Sequence, residues 1–248
     1  MHPEASTNRL IDRLPNAEQK RLFERCETVD LAFGEVLCNA NVTMPFAWFP
    51  LTGVIAREAK VNDRPPMEIG LSGNEGMLGA TLVIGIETAP YRAVVQGPGT
   101  ALRIAAADFV ALLAECPTLE HTMQRYLYVM DRLASRSTPC TRFHGIEERL
   151  SYWLLMIDDR THEDHFDLTH QYMADMLGVQ RSAVTLAAST MQANGLISYS
   201  RGQIHVVSRA GLLATCCECY DESIRDYTRQ FPAWSAKKPA RKTARKTV

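Results

Sequence analysis

LTHQYMADMLGVQRSAVTLAASTMQANGLISYSRGQIHVV, residues 168–207, decides the fold. Thr169 can cap a helix that follows at once, its hydroxyl accepting from an orphan amide of the first turn. Met173, Ala174 and Leu177 then recur at helical spacing. Gly178 breaks that helix, because a tight helix-to-helix turn needs a left-handed residue and glycine adopts it without strain. Val179 can plug the core beneath the turn. A second helix is predicted from near Arg181, with Val184, Ala187 or Ala188, and Met191 facing inward. Arg181, Ser182, Thr185, Leu186, Ser189 and Gln192 are left outward or flanking. Gly195 stops this helix. Two strand-like runs follow, Leu196 to Tyr199 and Gln203 to Val207, joined at Ser200-Arg201-Gly202. The succession helix, turn, helix, hairpin is a winged helix-turn-helix, whose second helix can enter a DNA major groove.

Periodicity and one glycine also fit two helices and a hairpin with no role on nucleic acid. Leu168-Thr169, Ala174-Asp175, Leu177-Gly178-Val179, Arg181, Val184, Gly195-Leu196-Ile197 and Arg201-Gly202-Gln203-Ile204 together resemble the DNA-binding domain of the Crp/Fnr regulators. The likeness covers roughly residues 20 to 225 and is looser before the last third. It implies an α+β chain: an N-terminal antiparallel β-roll like a cyclic-nucleotide-binding domain, a long dimerisation helix and a C-terminal winged helix-turn-helix. It implies double-stranded DNA, a second copy of the chain and RNA polymerase as partners. Arg181 could reach a phosphate or a guanine edge, Ser182 and Thr185 could hydrogen-bond, and Leu186 could touch a thymine methyl. Thr169, Gln171, Ser189 and Arg201 complete the expected DNA face. The acidic residue and arginine by which the family reads bases are replaced here by Ser182 and Leu186, so the family's operator is not carried over. A rival reading is a sensor or interaction protein that kept the fold without binding DNA. From Asp167 to Gly211 only Arg181, Arg201 and Arg209 stand against Asp167 and Asp175, thin for a phosphate-gripping surface.

The 248 residues suit one large or two small domains, and 46% hydrophobic content can fill real cores. The expected division is 1–115 for an N-terminal helix and roll, 116–139 for the dimerisation helix, 140–225 for the DNA-binding domain with its helix-turn-helix at about 169–194, and 232–248 for a disordered basic tail. The net charge of −1 hides that tail, which carries Lys237, Lys238, Arg241, Lys242, Arg245 and Lys246 and no acid. It reads as a phosphate-binding arm or as a solvated end. No apolar run is long enough to span a membrane. MHPEASTNRLIDRL lacks a signal pattern, so a cytoplasmic protein is expected. Seven cysteines, at 26, 38, 116, 140, 216, 217 and 219, read as reduced thiols. No nucleophile in a recognisable context, no phosphate-binding loop and no zinc motif is present, so no enzyme is expected.

Residues 8–27 read as helix, with Pro15 marking a break or restart. From Val29 to Ile104 short β-leaning runs alternate with glycine and proline turns, the texture of an antiparallel sandwich or barrel. Gly73-Asn74-Glu75-Gly76-Met77-Leu78-Gly79, then Tyr91-Arg92-Ala93, sits where the family's cyclic-nucleotide binders carry their phosphate cassette. Gly79 is followed by Ala80, so the ribose acceptor is missing. Gly79 and Arg92 remain candidate ligand residues, with a structural arginine as the plainer reading. Cyclic AMP is not expected, and no cofactor is expected beyond an unidentified small effector. Ala106 to Leu113 reads as a short helix. Cys116-Pro117 opens a long one, expected to end at Pro139. Leu119, Met123, Tyr126, Met130 and Leu133 fall at heptad spacing and are the expected dimer seam, against the alternative of one face packed on the roll. Another helix is predicted over Ile146 to Asp159, with Leu150, Trp153, Leu154 and Ile157 inward. His162-Glu163-Asp164-His165 and His170 could ligate a metal but read as polar linker. Cys216 and Cys219 are expected one turn apart on one helix. A cluster role there is conceivable, because some Fnr-type members carry iron–sulfur clusters, but buried small hydrophobes are the preferred reading and no metal site is assigned.

Overall fold

Glycine- and proline-punctuated β runs fold into two facing antiparallel sheets. The structure, a computed structural model, describes residues 8–161 and 165–232. The basic tail beyond Pro232 and the His162-Glu163-Asp164 run lie outside the described residues. A 3-10 turn, Ile11–Arg13, precedes α1 (Asn16–Phe23), with Pro15 at the joint. The strands follow as β1 (Glu27–Leu31), β2 (Val36–Cys38), β3 (Phe46–Pro50), β4 (Val54–Ala59), β5 (Met67–Ser72), β6 (Arg92–Gly97) and β7 (Gly99–Ala105). They pair as β1-β7-β3 and β2-β6-β4-β5. Between the sheets lie Phe49, Ile55, Leu78, Val95 and Ile104, closed off by Leu22, Phe109 and Leu112 from α1 and α2 (Ala106–Glu115).

Then come α3 (Pro117–Phe143), α4 (Ile146–Asp158), β8 (His165–Asp167), α5 (His170–Leu177), α6 (Arg181–Ala193), β9 (Ile197–Ser200), β10 (Gln203–Val206), α7 (Arg209–Thr215) and α8 (Cys219–Gln230). The hairpin β9-β10 gains a third strand, β8, on its open edge. Three residues are too short a run to show an alternating pattern, so the sequence does not reveal it.

The strand β4 has no solvent face. Alternate residues of a strand point to opposite sides. Ile55 joins the core of the roll, while Val54 and Ala56, with Leu71 of β5, join the core of the winged helix beside Trp153, Leu154, Met173 and Leu177. Two polar links reinforce this junction and a third braces the helices beside it. Trp153 Nε1 donates to Glu68 Oε2 at 2.7 Å, Arg160 Nε to Glu75 Oε1 at 2.8 Å within the buried interior, and Arg149 to the Leu177 carbonyl.

Several expectations change. The long helix does not stop at Pro139 but runs to Phe143. A proline frees the carbonyl four residues back. Here that residue, Ser135, is exposed, as is Pro139 itself, so water can take the carbonyl. The dimer seam is also overturned as an open face. Leu119, Met123, Tyr126 and Met130 are buried within this one chain and Leu133 is half-buried. Heptad spacing and one packed helix face share the same 3,4 rhythm, and here the packed face is what forms. Part of its cover is the end of α8, which runs past the 140–225 division: Tyr227 and the C-cap Phe231 enter the roll core, and Arg136 of α3 reaches Asp226 at 2.7 Å. The unit expected over 140–225 is therefore continuous with residues beyond 225. The α7 helix ends at Thr215, with Cys216 extended at its cap, so Cys216 and Cys219 do not share one helix.

Candidate nucleic-acid interface

The turn between α5 and α6 forms as its residues dictate. Thr169 Oγ1 accepts from the Tyr172 amide at 3.1 Å. Gly178 takes φ 65°, ψ 37°, the left-handed cap that spares a side chain its Cβ clash. A Cβ there would stand 3.1 Å from Met67 Sδ, so the turn rests directly on β5. Met173, Ala174 and Leu177 of α5 and Val184, Ala187, Ala188 and Met191 of α6 are buried. Both inward stripes were legible from spacing.

The outer face of α6 carries Arg181, Ser182, Thr185, Leu186 and Ser189, all exposed. Leu186 is 70% exposed. A leucine so bare at the middle of a packed helix is not there for the core. The structure thus sets these five on one accessible face. Of the other expected DNA residues, Thr169 is engaged as the cap and Gln171 donates to Asp175 Oδ1 at 2.8 Å. Arg201 sits at the tip of the wing with φ 51°, followed by Gly202 at φ 85°. Two left-handed residues make the tight turn that matches the twist of a hairpin.

Sequence reading takes His170 for polar linker and misses its structural role. Its Nδ1 lies 3.0 Å from Thr185 Oγ1, which also donates to the Arg181 carbonyl at 3.0 Å. Its ring stacks on Tyr199 of β9, centroids 4.2 Å apart. One imidazole thereby ties α5, α6 and the wing together. Burial, with the Arg181 charge adding to it, holds His170 below the usual imidazole range, so it is neutral at pH 7. Arg209 drops out of the cationic surface, since it is paired with Asp158 and with Asp159 at 2.6 Å and also donates to Tyr220. Arg181 and Arg201 remain as the basic residues at helix and wing.

In the roll, the expected ligand residues and the glycines near them contact the chain itself. Arg92 faces Glu58 across the β4-β6 pairing and forms an ion pair with that buried carboxylate. Gly79 takes φ 95°, and a Cβ there would stand 3.2 Å from the Ala47 backbone. A Cβ on Gly73 would stand 2.7 Å from Arg160 Cβ, and one on Gly76 would overlap the Tyr126 hydroxyl, itself hydrogen-bonded to Ser72. The glycines allow close approach, as the sequence suggests, but what approaches is Arg160 and Tyr126. Gly79 and Arg92 thus have structural partners.

Residues 148–215 match the family model of the Crp-like helix-turn-helix domain. No curated protein matches the sequence. Among solved structures, the chain is similar to a transcriptional regulator of the Crp/Fnr family from Eubacterium rectale, at 14% identity, TM-score 0.65, over 83% of this chain and 96% of that one. It is similar to FixK2 from Bradyrhizobium japonicum, at 14% identity, TM-score 0.64, over 77% and 98%. It is similar also to the c-di-GMP-responsive regulator CLP of Xanthomonas campestris, at 13% identity, TM-score 0.62, over 77% and 99%. At these identities the likeness is one of fold.

Proposed function

Because this chain carries a Crp-like helix-turn-helix domain within the fold of the Crp/Fnr regulators, we propose that it is a transcription regulator that reads double-stranded DNA through α6. The observation that carries this reading is the bare outer face of α6, above all Arg181 and the uncovered Leu186. An arginine suits a phosphate or a guanine edge, and a leucine suits a thymine methyl. One such face offers few base contacts, so a specific site calls for two copies. We therefore read the protein as a homodimer on a two-fold symmetric operator, half-sites about one helical turn apart. With the Leu119–Leu133 face taken, pairing falls to the outward side of α3, where Gln124, Tyr128 and Asp131 are exposed. Contact with RNA polymerase would follow from the same role. Cyclic AMP is not the effector on this reading, because Ala80 follows Gly79 where an acidic ribose acceptor is expected and Glu58 already pairs with Arg92.

The thin basic surface favours a second reading, a sensor or interaction protein without DNA affinity, since Arg209 is engaged inside the protein. A genome-wide pull-down of bound DNA separates the two. Enrichment of one symmetric motif supports the first; enrichment no better than a random pool supports the second. On the enriched site Arg181→Ala should weaken binding by about 1–3 kcal/mol at fixed salt. Unchanged affinity would remove Arg181 from the interface.

A further inference from the structure

Cys140 lies in the last turn of α3, and His144 follows four residues on as its extended C-cap, with its amide donating to the Cys140 carbonyl at 3.1 Å. Cys217 and Cys219 lie at the turn from α7 into α8. The fold brings the two pairs together. Cys140 Sγ is 3.8 Å from Cys217 Sγ, and Cys219 Sγ is 3.6 Å from His144 Nδ1. All four donor atoms lie within 4.8 Å of one another. The three thiols are buried and His144 is half-buried. Zinc bonds sulfur at about 2.3 Å and imidazole nitrogen at about 2.0–2.1 Å. A tetrahedron of such bonds has S–S edges of about 3.8 Å and S–N edges of about 3.6 Å. The two close pairs match those edges.

The surroundings fit as well. His144 Nε2 stands 3.3 Å from Glu218 Oε2. A carboxylate on the far nitrogen is the usual device for fixing a metal-binding imidazole, and it leaves Nδ1 turned to the sulfurs. The Arg149 side chain lines one cavity with Cys140 and Cys219, so its charge can offset the net negative charge of three thiolates around a divalent ion.

We propose that Cys140, His144, Cys217 and Cys219 form a closed Cys3His site for one zinc ion, which clamps the end of α3 to the α7–α8 turn. On binding, the thiol protons pass to solvent as the sulfurs coordinate the metal. Four protein ligands leave no open position, so the ion is structural, and it fixes α8 against the buried face of α3.

The test uses the full-length reduced protein. Elemental analysis should find one zinc per chain. After chelation, added cobalt should give the strong visible bands of a tetrahedral thiolate complex, displaced by zinc. Cys217→Ser and His144→Ala should lose stoichiometric metal, and Cys26→Ser should keep it. Glu218→Gln should fold and bind cobalt about ten- to hundred-fold more weakly, the usual effect of losing an outer-shell partner. Retention of metal by Cys217→Ser, absence of a tetrahedral cobalt spectrum in the unaltered protein, or iron with acid-labile sulfide would each overturn the assignment.

Discussion

Two regions that the family likeness marks for ligands have opposite surfaces. The outer face of α6 is left bare, with Arg181, Ser182, Leu186 and Ser189 exposed over a small, tightly packed inner face. The glycine-rich stretch of the roll, Gly73 to Gly79, is covered by Tyr126 and Arg160, and the nearby Arg92 is neutralised by Glu58. Both regions use glycine, and for different ends. Gly178 supplies a left-handed turn, whereas Gly73 and Gly76 supply room for large side chains from α3 and the end of α4. A glycine pattern therefore shows that something approaches the backbone closely, and only packing shows whether it is a ligand or the protein itself.

The comparison can be broken from the roll side. Met130→Asp places a carboxylate in the core that fills the expected dimer seam. Burying an unpaired charge should cost at least about 4 kcal/mol, enough to threaten folding, as read by urea denaturation. A stable, folded monomer from this variant would return the seam to its role as an open pairing face. Gly76→Ala should cost about 1–3 kcal/mol by overpacking against Tyr126. Adding Tyr126→Phe should recover part of that loss, because the clashing oxygen is gone. Additive losses in the double variant would mean the two residues do not meet.

The smallest effect concerns the junction. Burial pushes the Glu68 carboxyl up to about 7, against the lowering hydrogen bond from Trp153. A carboxyl raised on folding contributes most below its ordinary range near pH 4.5, and that contribution is lost as pH rises to about 7. Glu68→Gln keeps an acceptor oxygen for Trp153 without the charge. The variant should flatten the pH dependence of Tm over that interval and melt slightly higher than the parent at pH 8. A lower Tm at pH 8 would show that the charge of Glu68 is favourable there.

The helix-turn-helix was legible because its evidence is local. Thr169, Gly178 and the inward residues from Val184 to Met191 act within one or two turns of each other. The dimer seam misled because Leu119, Met123, Tyr126 and Met130 obey a rhythm common to two kinds of packing. Composition cannot say whether a second chain or the chain's own roll and α8 will cover them. The cysteine–histidine site was out of reach for a different reason. Cys140 and Cys217 are 77 residues apart, and Pro139 argued that the helix that carries Cys140 and leads to His144 should not exist there. Only the continuation of α3 past an exposed proline aligns that pair, and only the return of α8 brings it the other two sulfurs.

The two-sided burial of β4 has a thermodynamic meaning. Val54 and Ala56 belong to one apolar cluster and Ile55 to the other. Neither cluster can be emptied without stripping a strand from its neighbour, so the cores share one fate rather than two. Cooperative units follow shared packing rather than the names given to domains. Residues 54–56 therefore act as a weld: heat should find one transition across roll and winged helix, and a displacement on either side of the strand is passed to the other as movement of a common wall.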